Sequence, residues 1–367
     1  MSRIAEFDAQ MMRRALRLAA RGQGSVEPNP MVGCVLVRSG RVVGEGWHKR
    51  FGGPHAEVFA LRSAGAAARG ATAYVTLEPC CYHGKTPACT DALIKAGVSR
   101  VVAAMTDPNP RVRGRGAKLL RAAGIDVELG LLREEAETLN APFTKLVKTG
   151  RPWVILKWAQ SLDGAIATAS GDSKWISDEA CRAHAHKTRG RVDAIVVGVN
   201  TVLRDDPELT CRVGRPRRVA VRVVLDSKLR TPMRSKLVRT ARETPTWIVT
   251  TAAAAKPAVS RLEKAGCRIV RVGKQRDSVD PAALLDHIGE SGFANVLVEG
   301  GAQVHGAFLS RGLADEVHIY TAPILIPGRD ALRPIGGDSL DRVRDATSLR
   351  IVEQRHIGSY TFTRGLL

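Results

Sequence analysis

The feature that most constrains the fold of this chain is an alternation of predicted strands and helices along most of its 367 residues. Short apolar runs bounded by Gly, Pro or Asn indicate strands, and apolar positions three or four residues apart indicate helices. In the first part of the chain, strands are predicted at 31–37, 41–45, 72–77, 100–105 and 127–129, and helices at 6–21, 54–67, 90–96, 114–123 and 134–148. This alternation is typical of a layered α/β sheet.

A second series of the same kind begins after the segment Lys148–Pro152, which is predicted to be a linker. Its strands are predicted at 154–159, 194–199, 218–225, 246–250, 268–272, 295–299 and 316–322, and its helices at 178–189, 257–265, 281–289 and 303–310. The pattern assigns no element beyond residue 322. Because domains usually have roughly 100–200 residues, we predict two α/β domains, 1–147 and 148–367.

Composition excludes several classes of protein. Hydrophobic residues make up 44% of the chain and charged residues 25%, which is enough apolar surface for a packed core and argues against disorder. No apolar run reaches the roughly 18 residues of a membrane span, and the first residues lack the apolar stretch of a signal peptide. We therefore expect a cytoplasmic protein. Seven cysteines, an odd number, argue against a disulfide framework.

The net charge of +20 would attract anions such as phosphorylated metabolites, nucleotides or nucleic acid. Aromatic residues make up only 4% of the chain, whereas surfaces that bind single-stranded nucleic acid combine basic residues with aromatic ones. Arginines scattered over a solvated surface explain the charge equally well. The charge alone therefore does not identify a partner.

Three cysteines lie between positions 80 and 89, and a His-Ala-Glu sequence precedes them. His55 opens a predicted helix, Cys80 follows a predicted strand, and Cys89 begins the next helix. One histidine and two cysteines form a three-ligand set for Zn²⁺, which leaves the fourth position for water and lowers the pKa of that water. Glu57 lies two residues after His55 and can carry a proton to a leaving nitrogen. The pattern matches zinc deaminases, in which this glutamate is not a ligand.

The same residues allow other interpretations. A closed structural zinc site would use Cys81 or His83 as a fourth ligand, and His55 and the cysteines are also compatible with ordinary surface and packing roles. The Pro-Cys-x-x-Cys sequence of many zinc deaminases is absent, because Cys89 comes nine residues after Cys80. The loop between these two cysteines is rich in hydrogen-bond donors, which an anionic substrate would need.

In the second domain, the predicted strand at 295–299 is followed by Gly300-Gly301 and a helix. Glycines let the backbone approach a phosphate, and a helix N-terminus offers unpaired N–H groups. A tight turn between strand and helix explains the two glycines equally well. No G-x-G-x-x-G sequence follows a strand, and no Walker loop is present. Asp205-Asp206-Pro207 is compatible with either a metal pair or a turn.

Taken together, several motifs resemble the RibD family of bifunctional riboflavin biosynthesis enzymes. In the first domain they are 28–34 (PNPMVGC), 55–58 (HAEV), 77–89 (LEPCCYHGKTPAC) and 107–110 (DPNP). In the second they are Lys157 with 161–164 (SLDG), 173–176 (SKWI), 198–210, 225–227 (LDS) and 298–301 (VEGG). The resemblance implies a cytidine-deaminase-like α/β/α sandwich followed by a dihydrofolate-reductase-like α/β domain.

The resemblance implies a zinc-dependent deamination of 2,5-diamino-6-(5-phosphoribosylamino)pyrimidin-4(3H)-one, followed by reduction of the ribosyl chain to ribityl with NADPH. It implies one Zn²⁺ per chain at His55, Cys80 and Cys89, with Glu57 as the proton carrier. It suggests a homodimer and neither a nucleic-acid nor a membrane partner. The residues that it places around the pyrimidine and the ribose phosphate are Asn29, His83, Lys85 and Asn109.

For the reductase, the resemblance implies two groups of binding residues and a possible proton donor. NADPH is expected at Ala159, Trp175, Thr201, Asp205, Ser227, Gly301, Ala302, Gln303, Val304, His305, Gly306 and Ala307. The phosphoribosyl substrate is expected at Ser173, Arg189, Leu209, Arg212 and Glu299. Arginine suits a phosphate because its planar fork bonds two oxygens at once. Lys157 and Asp163 are candidates for proton supply or orientation.

Two other functions share part of this pattern. A zinc-dependent nucleic-acid deaminase, such as one acting on tRNA, with an unrelated C-terminal domain would explain the His-x-Glu sequence and the charge. It would explain neither the cysteine spacing nor the motifs of the second domain. A basic nucleic-acid-binding protein with a structural zinc predicts a closed metal site and gives Glu57 no chemical role.

Overall fold

The computed structural model describes residues 3–84, 87–275 and 278–367. The chain separates into two compact units, Met1–Gly150 and Arg151–Leu367. Each unit contains its own sheet with helices packed against it, and the predicted two-domain α/β class is confirmed. Among the described residues, no helix combines the length and apolar character that crossing a membrane would require.

The first unit is built on a five-stranded sheet with the strand order β2-β1-β3-β4-β5. Strand β1 pairs antiparallel with β2 and β3, whereas β3, β4 and β5 are parallel. The strands are β1 (Gly33–Arg38), β2 (Arg41–Trp47), β3 (Thr72–Val75), β4 (Arg100–Ala103) and β5 (Asp126–Leu129). The helices are α1 (Arg3–Ala20), α2 (Ala56–Ala64), α3 (Cys89–Ala96), α4 (Arg115–Ala122), α5 (Arg133–Leu139) and α6 (Ala141–Thr149).

Two glycines of β2 let helix α2 pack directly on the sheet. A Cβ atom at Gly44 would lie 2.3 Å from the carbonyl oxygen of Ala60, and one at Gly46 would lie 2.4 Å from that of Ala56. Both separations are far below van der Waals contact, so no other residue fits without a backbone shift. The close approach fixes the first turn of α2, where the predicted proton carrier lies.

The predicted helix over 134–148 is wrong in one respect, because the segment forms two helices, α5 and α6. Asn140 lies between them and is 1% exposed. Its Oδ1 accepts from the backbone N–H of Met31 at 2.8 Å, and its Nδ2 donates to the carbonyl of Met31 at 3.0 Å. The apolar periodicity continues through the break, so the periodicity alone does not reveal it.

The second unit is built on a nine-stranded sheet with the order β10-β9-β8-β7-β13-β6-β14-β16-β15. The first seven strands in this order are parallel, and β16 and β15 add an antiparallel hairpin. The strands of this sheet are β6 (Trp153–Ser161), β7 (Ala194–Gly198), β8 (Val221–Leu225), β9 (Thr246–Thr250), β10 (Arg268–Arg271), β13 (Asn295–Val298), β14 (Glu316–Ala322), β15 (Arg350–Ile357) and β16 (Tyr360–Leu366). Strands β11 (Lys274–Gln275) and β12 (Ser278–Val279) form a separate antiparallel pair. The helices are α7 (Glu179–Arg189), α8 (Val199–Asp205), α9 (Lys236–Arg239), α10 (Lys256–Lys264), α11 (Pro281–Glu290) and α12 (Ala302–Leu309).

The sequence pattern missed the hairpin β15–β16 and the helices α8 and α9. Strand β15 has mostly exposed residues, and its polar sequence lacks the alternation of a half-buried strand. The predicted strand over 218–225 was too long, since β8 begins at Val221. The backbone N–H groups of Arg217 and Arg218, which precede β8, donate to the carbonyl of Gly190 instead of continuing the sheet.

A fully buried arginine joins several segments of the second unit. Arg222 of β8 is 1% exposed. Its guanidinium donates to the hydroxyls of Thr240 and Thr246 and to the carbonyl oxygens of Glu208, Leu237, Thr240 and Thr244. These carbonyl and hydroxyl oxygens accept the hydrogen bonds of a buried guanidinium, which would be costly to bury without them.

Candidate active sites

The first site lies where the start of α2, the loop after β3 and the start of α3 meet. Nδ1 of His55 is 3.2 Å from Sγ of Cys89 and 3.5 Å from Sγ of Cys80. The three ligand atoms all lie within 4.8 Å of one another. His55 caps α2, and Cys89 is the first residue of α3, so two helix N-termini and a loop supply the three side chains.

This geometry fits a zinc ion. With Zn–N near 2.0–2.1 Å and Zn–S near 2.3 Å, the ligand atoms of a tetrahedral site are separated by about 3.6 Å. The two nitrogen–sulfur distances are close to that value. Among the described residues, this is the group of His, Cys, Asp and Glu side chains that could hold a metal. Neither Asp205 nor Asp206 belongs to it, and Asp206 instead accepts from the backbone N–H of Lys236.

The set of three ligands does not extend to a fourth protein side chain in the described part of the chain. Cys81 donates through its thiol to the carbonyl of Arg111. His83 is exposed and lies 3.5 Å from the carboxylate of Asp91. The geometry therefore supports an open site and not the closed structural site that the sequence left as an alternative.

Glu57 lies in the first turn of α2 and is 3% exposed. Its Oε2 is buried and has no hydrogen-bond partner among the described residues. Burial, reinforced by the nearby Cys80 thiolate, raises the pKa of Glu57 to about 6. A buried carboxylate oxygen without a partner is costly in a folded protein, so its position beside the three ligands indicates a chemical role.

A hydrogen bond between the thiols of Cys80 and Cys89 shifts the pKa values of the two cysteines in opposite directions. The bond from Cys89 lowers the pKa of Cys80, and the same bond raises the pKa of Cys89. The backbone N–H of Cys89 also donates to the sulfur of Cys80 at 3.4 Å. A thiolate is the form of cysteine that ligates metals, and Cys80 is already stabilised in that form.

The structure places the other predicted residues of the deaminase site around this centre to different extents. Nδ2 of Asn29 is 3.3 Å from Nε2 of His48, whose ring lies against His55 at 5.3 Å between centroids. Oδ1 of Asn109 accepts from the backbone N–H of Arg111 at 3.0 Å, so this oxygen holds the local turn. Lys85 lies outside the described residues.

Sequence reasoning missed the role of Glu78, which directly precedes Pro79 and Cys80. Its carboxylate is 2% exposed and accepts from the backbone N–H groups of Asp107, Gly114 and Ala117 at 3.0–3.2 Å. It thereby connects the cysteine loop to the loop after β4 and to the first turn of α4. A glutamate between an apolar strand and a proline was the available signal, because buried carboxylates need such partners.

The second site lies at the edge where the parallel strands of the second unit end. In open parallel sheets, ligands bind beyond the carboxyl ends of the strands. Five adjacent strands end there, at Leu225, Gly198, Val298, Ser161 and Ala322. Most of the residues predicted for the cofactor and the phosphoribosyl group follow these ends.

An ion pair occupies the centre of this edge. Glu299 follows β13, and its side chain is 7% exposed. Arg189, the last residue of α7, donates to both of its carboxylate oxygens at 2.8 and 2.5 Å. Burial alone would raise the pKa of Glu299, but Arg189 and then Lys157 outweigh it and lower the pKa to about 2. Burial lowers the pKa of Lys157, and the charge of Glu299 opposes this effect.

The two glycines after β13 have different structural reasons. A Cβ atom at Gly300 would lie 2.6 Å from the backbone nitrogen of Gly198, so the packing of this turn on β7 requires a glycine. Gly301 has φ +43°, and a Cβ there would meet only the hydroxyl of Thr201, at 3.8 Å. The tight-turn interpretation therefore accounts for Gly300, whereas Gly301 leaves open space at the N-terminus of α12 beside Thr201.

Several predicted cofactor residues of α12 have packing roles for their side chains. His305 is 2% exposed, and its ring nitrogens lie 3.0 and 3.2 Å from the carbonyl oxygens of Pro334 and Val298. A Cβ atom at Gly306 would lie 1.8 Å from the carbonyl oxygen of Gly336. These two residues attach α12 to the loop near 334–337, and the backbone N–H of Gly336 also donates to the carbonyl of Ala302 in the first turn of the helix.

The remaining predicted residues of the second site are less concentrated. Leu209 is 2% exposed within the apolar core and has φ +51°. Arg212 is exposed, and its backbone N–H donates to Nδ1 of His186 at 3.2 Å. Trp175 is 71% exposed, with the guanidinium of Arg182 4.6 Å from its ring centroid.

Asp163 belongs to a turn that lies beside the end of β6. Its carboxylate accepts from the hydroxyl of Ser161 at 2.5 Å and from the backbone N–H of Ile326 at 3.1 Å. The three remaining residues of the prediction, Ser173, Asp205 and Ser227, lie in the loop before α7, at the end of α8 and just after β8. The structure thus brings Lys157, Arg189 and Glu299 together and leaves Asp163 in a separate turn.

Comparison with known proteins identifies the family of each unit. The family model of the cytidine and deoxycytidylate deaminase zinc-binding region matches residues 5–105 of the sequence. The family model of the RibD C-terminal domain matches residues 152–362. The fold and the sites therefore define a zinc-binding deaminase domain joined to a reductase domain. The second match contradicts the alternative of a nucleic-acid deaminase with an unrelated C-terminal domain.

Relatives extend this match over nearly the whole chain. The riboflavin biosynthesis protein RibD of Escherichia coli is 44% identical over 363 residues, covering 96% of this chain and 97% of its own. That of Actinobacillus pleuropneumoniae is 43% identical over 351 residues, covering 96% and 93%. The crystal structure of a diaminohydroxyphosphoribosylaminopyrimidine deaminase/5-amino-6-(5-phosphoribosylamino)uracil reductase from Thermotoga maritima is 36% identical, covers 99% of both chains and superposes with a TM-score of 0.85. The chain belongs to the RibD family of bifunctional riboflavin biosynthesis enzymes.

Proposed function

We propose that residues 1–147 deaminate 2,5-diamino-6-(5-phosphoribosylamino)pyrimidin-4(3H)-one and that residues 148–367 reduce the ribosyl chain of the product with NADPH. The final product is then 5-amino-6-(5-phosphoribitylamino)uracil. One observation supports the first step most strongly. It is the buried Oε2 of Glu57, which lacks a hydrogen-bond partner in the part of the chain that the structure describes and lies beside the three ligand atoms of His55, Cys80 and Cys89.

In the first site, His55, Cys80 and Cys89 would hold Zn²⁺, which when bound lowers the pKa of a water molecule to near neutrality. Glu57 takes a proton at Oε2 and gives it to the nitrogen that leaves as ammonia. The burial of Glu57 excludes bulk water from this transfer. Asn29, His83, Lys85 and Asn109 would bind the pyrimidine and its ribose phosphate.

In the second site, the carboxylate of Glu299 holds Arg189 through two hydrogen bonds, and its charge attracts Lys157 at the edge of the sheet. Arg189 and Arg212 would bind the phosphate of the substrate, with Ser173 and the backbone of Leu209 at the ribosyl chain, since the side chain of Leu209 is buried. Lys157 would orient the ribosyl group or supply the proton, and Asp163 remains the second candidate. The positive charges of Arg189 and Arg212 suit a phosphorylated substrate.

NADPH would bind at the open space beside Gly301, where a backbone without a Cβ and the N-terminus of α12 suit a phosphate. The cofactor supplies a hydride, and the protein orients it against the substrate. The other residues proposed for this cofactor are Ala159, Trp175, Thr201, Asp205, Ser227, Ala302, Gln303, Val304, His305, Gly306 and Ala307. For His305 and Gly306, whose side-chain positions are used in packing, the contact would come from the backbone.

A mass spectrum of the pyrimidine after incubation with the purified protein tests both steps. Without NADPH, we expect the mass change of an amino group replaced by oxygen. With NADPH, we expect the further gain of two hydrogens, and NADH in its place should be the poorer reductant. Deamination without reduction would refute the assignment of the second unit or its cofactor. No change in either sample, with zinc confirmed in the protein, would refute the proposed substrate.

A further inference from the structure

Three side chains from three elements of the second unit form a hydrogen-bonded chain that ends beside Lys157. Nη2 of Arg355, in β15, is 2.7 Å from Nε2 of His184, in α7. Nδ1 of His184 is 2.8 Å from the hydroxyl oxygen of Tyr320, in β14. Tyr320 is 2% exposed, and Nζ of Lys157 lies 5.4 Å from its ring centroid.

The chemistry of these groups fixes the position of the protons. An arginine side chain can only donate, so Nε2 of His184 must accept the bond from Arg355. The ring of His184 is therefore neutral and carries its hydrogen on Nδ1. That hydrogen is donated to the oxygen of Tyr320, and the hydroxyl hydrogen of Tyr320 points to a group other than His184.

The chain lies on the face of the sheet that carries the proposed reductase residues. Tyr320 pairs with Ala159 of β6 and with Phe362 of β16, and Phe362 pairs with Arg355 of β15. Paired residues on neighbouring strands share a face, and Lys157 shares the face of Ala159 because it is two residues away. Helix α7 covers this face and supplies His184 near its middle and Arg189 at its end.

We propose that Arg355, His184 and Tyr320 position the reductase site: Arg355 fixes the proton of His184 on Nδ1, and His184, through its bond to the hydroxyl of Tyr320, holds the ring of Tyr320 beside Lys157. Tyr320 forms the wall against which the ammonium of Lys157 lies, at a distance typical of a cation–π contact. The inference rests on the proposed function, since it takes Lys157 as part of the reductase site. It gives the C-terminal hairpin a part in the reaction.

The surroundings of His184 keep its ring neutral. Arg355 and Glu353 face it from β15, His318 and Tyr320 from β14, and Lys187 from its own helix. Burial, followed by the charge of Arg355, lowers the pKa of His184 to about 4. Protonation of Nε2 would break the bond from Arg355 and place two positive charges together. At low pH, the hydrogen bond between Arg355 and His184 should therefore be lost.

Replacement of Arg355 by methionine tests this hydrogen-bonded series, because methionine keeps an unbranched stem but neither donates nor carries charge. In Arg355→Met, the pKa of His184 should rise toward its ordinary value of about 6.5. The reductase kcat should then begin to fall at a higher pH than in the wild type, by roughly 10-fold at one pH unit below the new pKa. Arg355→Lys, which keeps a charged donor, should restore the wild-type profile.

Two controls separate positioning from folding. Arg350→Met changes the same residue type on the same strand and should leave the pH profile of the reductase unchanged. The deaminase activity of each variant reports whether the rest of the chain is intact. Tyr320→Phe keeps the ring but removes the hydroxyl, and we expect about a 10-fold lower reductase kcat with little change in KM.

A measurement without activity tests the tautomer directly. Nitrogen NMR of the protein with labelled histidine should show the hydrogen of His184 on Nδ1 in the wild type and a titrating ring in Arg355→Met. A hydrogen on Nε2 in the wild type, or a pH profile of Arg355→Met that overlays the wild type, would overturn the inference. Full reductase activity in Glu299→Gln would instead refute the proposed reductase site, while the NMR result would stand.

Discussion

Two buried glutamates, one in each unit, have opposite surroundings. Glu57 has an oxygen without a hydrogen-bond partner among the described residues, whereas both oxygens of Glu299 accept from Arg189. The first carboxylate lies next to thiols and a histidine, and the second lies next to two cations. The same residue type can therefore carry a proton in one site and hold a permanent negative charge in the other.

This comparison explains why hydrogen bonding reveals the function of Glu57 but not that of Glu299. A proton carrier needs an oxygen that the protein does not use, so it leaves an unpaired buried atom. A structural anion needs all of its oxygens used, so it resembles an ordinary buried ion pair. The chemistry of the second site must therefore be assigned from the position of Glu299 at the end of the sheet and not from its bonds alone.

The largest effect should come from Glu57→Gln, which keeps the size of the side chain and removes its basicity. Deamination should fall by about 100- to 10,000-fold, the usual contribution of general acid–base catalysis. Zinc content and reduction of the deaminated pyrimidine should remain at the wild-type level, as measured by metal analysis and NADPH consumption. Glu134→Gln, an exposed glutamate of α5, is the matched control. Loss of zinc from Glu57→Gln would contradict the role of proton carrier.

Arg189→Met should have the next largest effect and tests the second glutamate, because it leaves Glu299 buried without its bidentate partner. Removing one partner of a buried ion pair costs about 3–5 kcal/mol of stability. The denaturant midpoint of the second unit should decrease accordingly, and reductase activity should be lost while deamination continues. Lys187→Met, on the exposed side of the same helix, should change stability by less than about 0.5 kcal/mol. Equal effects of the two substitutions would show that the ion pair contributes little.

Glu78→Gln should have a smaller effect on the first site. An amide oxygen cannot accept all three backbone N–H groups that the carboxylate accepts now, and each buried group left without a partner costs about 1–3 kcal/mol. We expect weaker zinc binding and lower deaminase kcat/KM, measured by chelator competition and steady-state kinetics. The reductase of the same chain should be unaffected. A wild-type zinc affinity would show that the cysteine loop holds its position without Glu78.

The smallest effect should be the pH dependence that Glu299 adds to stability. Its pKa is about 2 in the folded chain and 4.5 is its ordinary value, so the folded state favours the charged form. The stability contributed is therefore complete above about pH 4.5 and is lost as the pH falls through 2. The difference in unfolding free energy between the wild type and Glu299→Gln should shrink over this interval. A difference that stays constant would mean that Glu299 keeps an ordinary pKa.

The first site was more predictable from sequence than the second because its chemistry is concentrated in local motifs. His55 and Glu57 share one helical turn, and Cys80 and Cys89 flank one loop. The reductase residues instead lie near five strand ends that are separated by up to 161 positions, from Ser161 to Ala322, and only the resemblance to a family brought them together. The roles of Leu209 and His305 could not be predicted, because burial depends on the packing of distant elements.

Individual side chains account for most of what the pattern missed in the fold. The break between α5 and α6 depends on Asn140 bonding to Met31, which lies 109 positions away. The hairpin β15–β16 lies at the edge of a sheet, where one face of the strand contacts solvent and apolar alternation is weak. Partners that are far apart in sequence leave no local signal, whereas a cap or a turn does.

The bonds of Arg222 have a consequence for how the second unit opens. This one side chain connects a central strand to the segment of Glu208 and to the stretch between Leu237 and Thr246. Neither segment can detach without exposing a buried charge, so they should open together as one cooperative unit. In native-state hydrogen exchange, the backbone amides near Glu208 and those between Leu237 and Thr246 should share a single opening free energy. These two segments should also exchange as slowly as the sheet of the second unit.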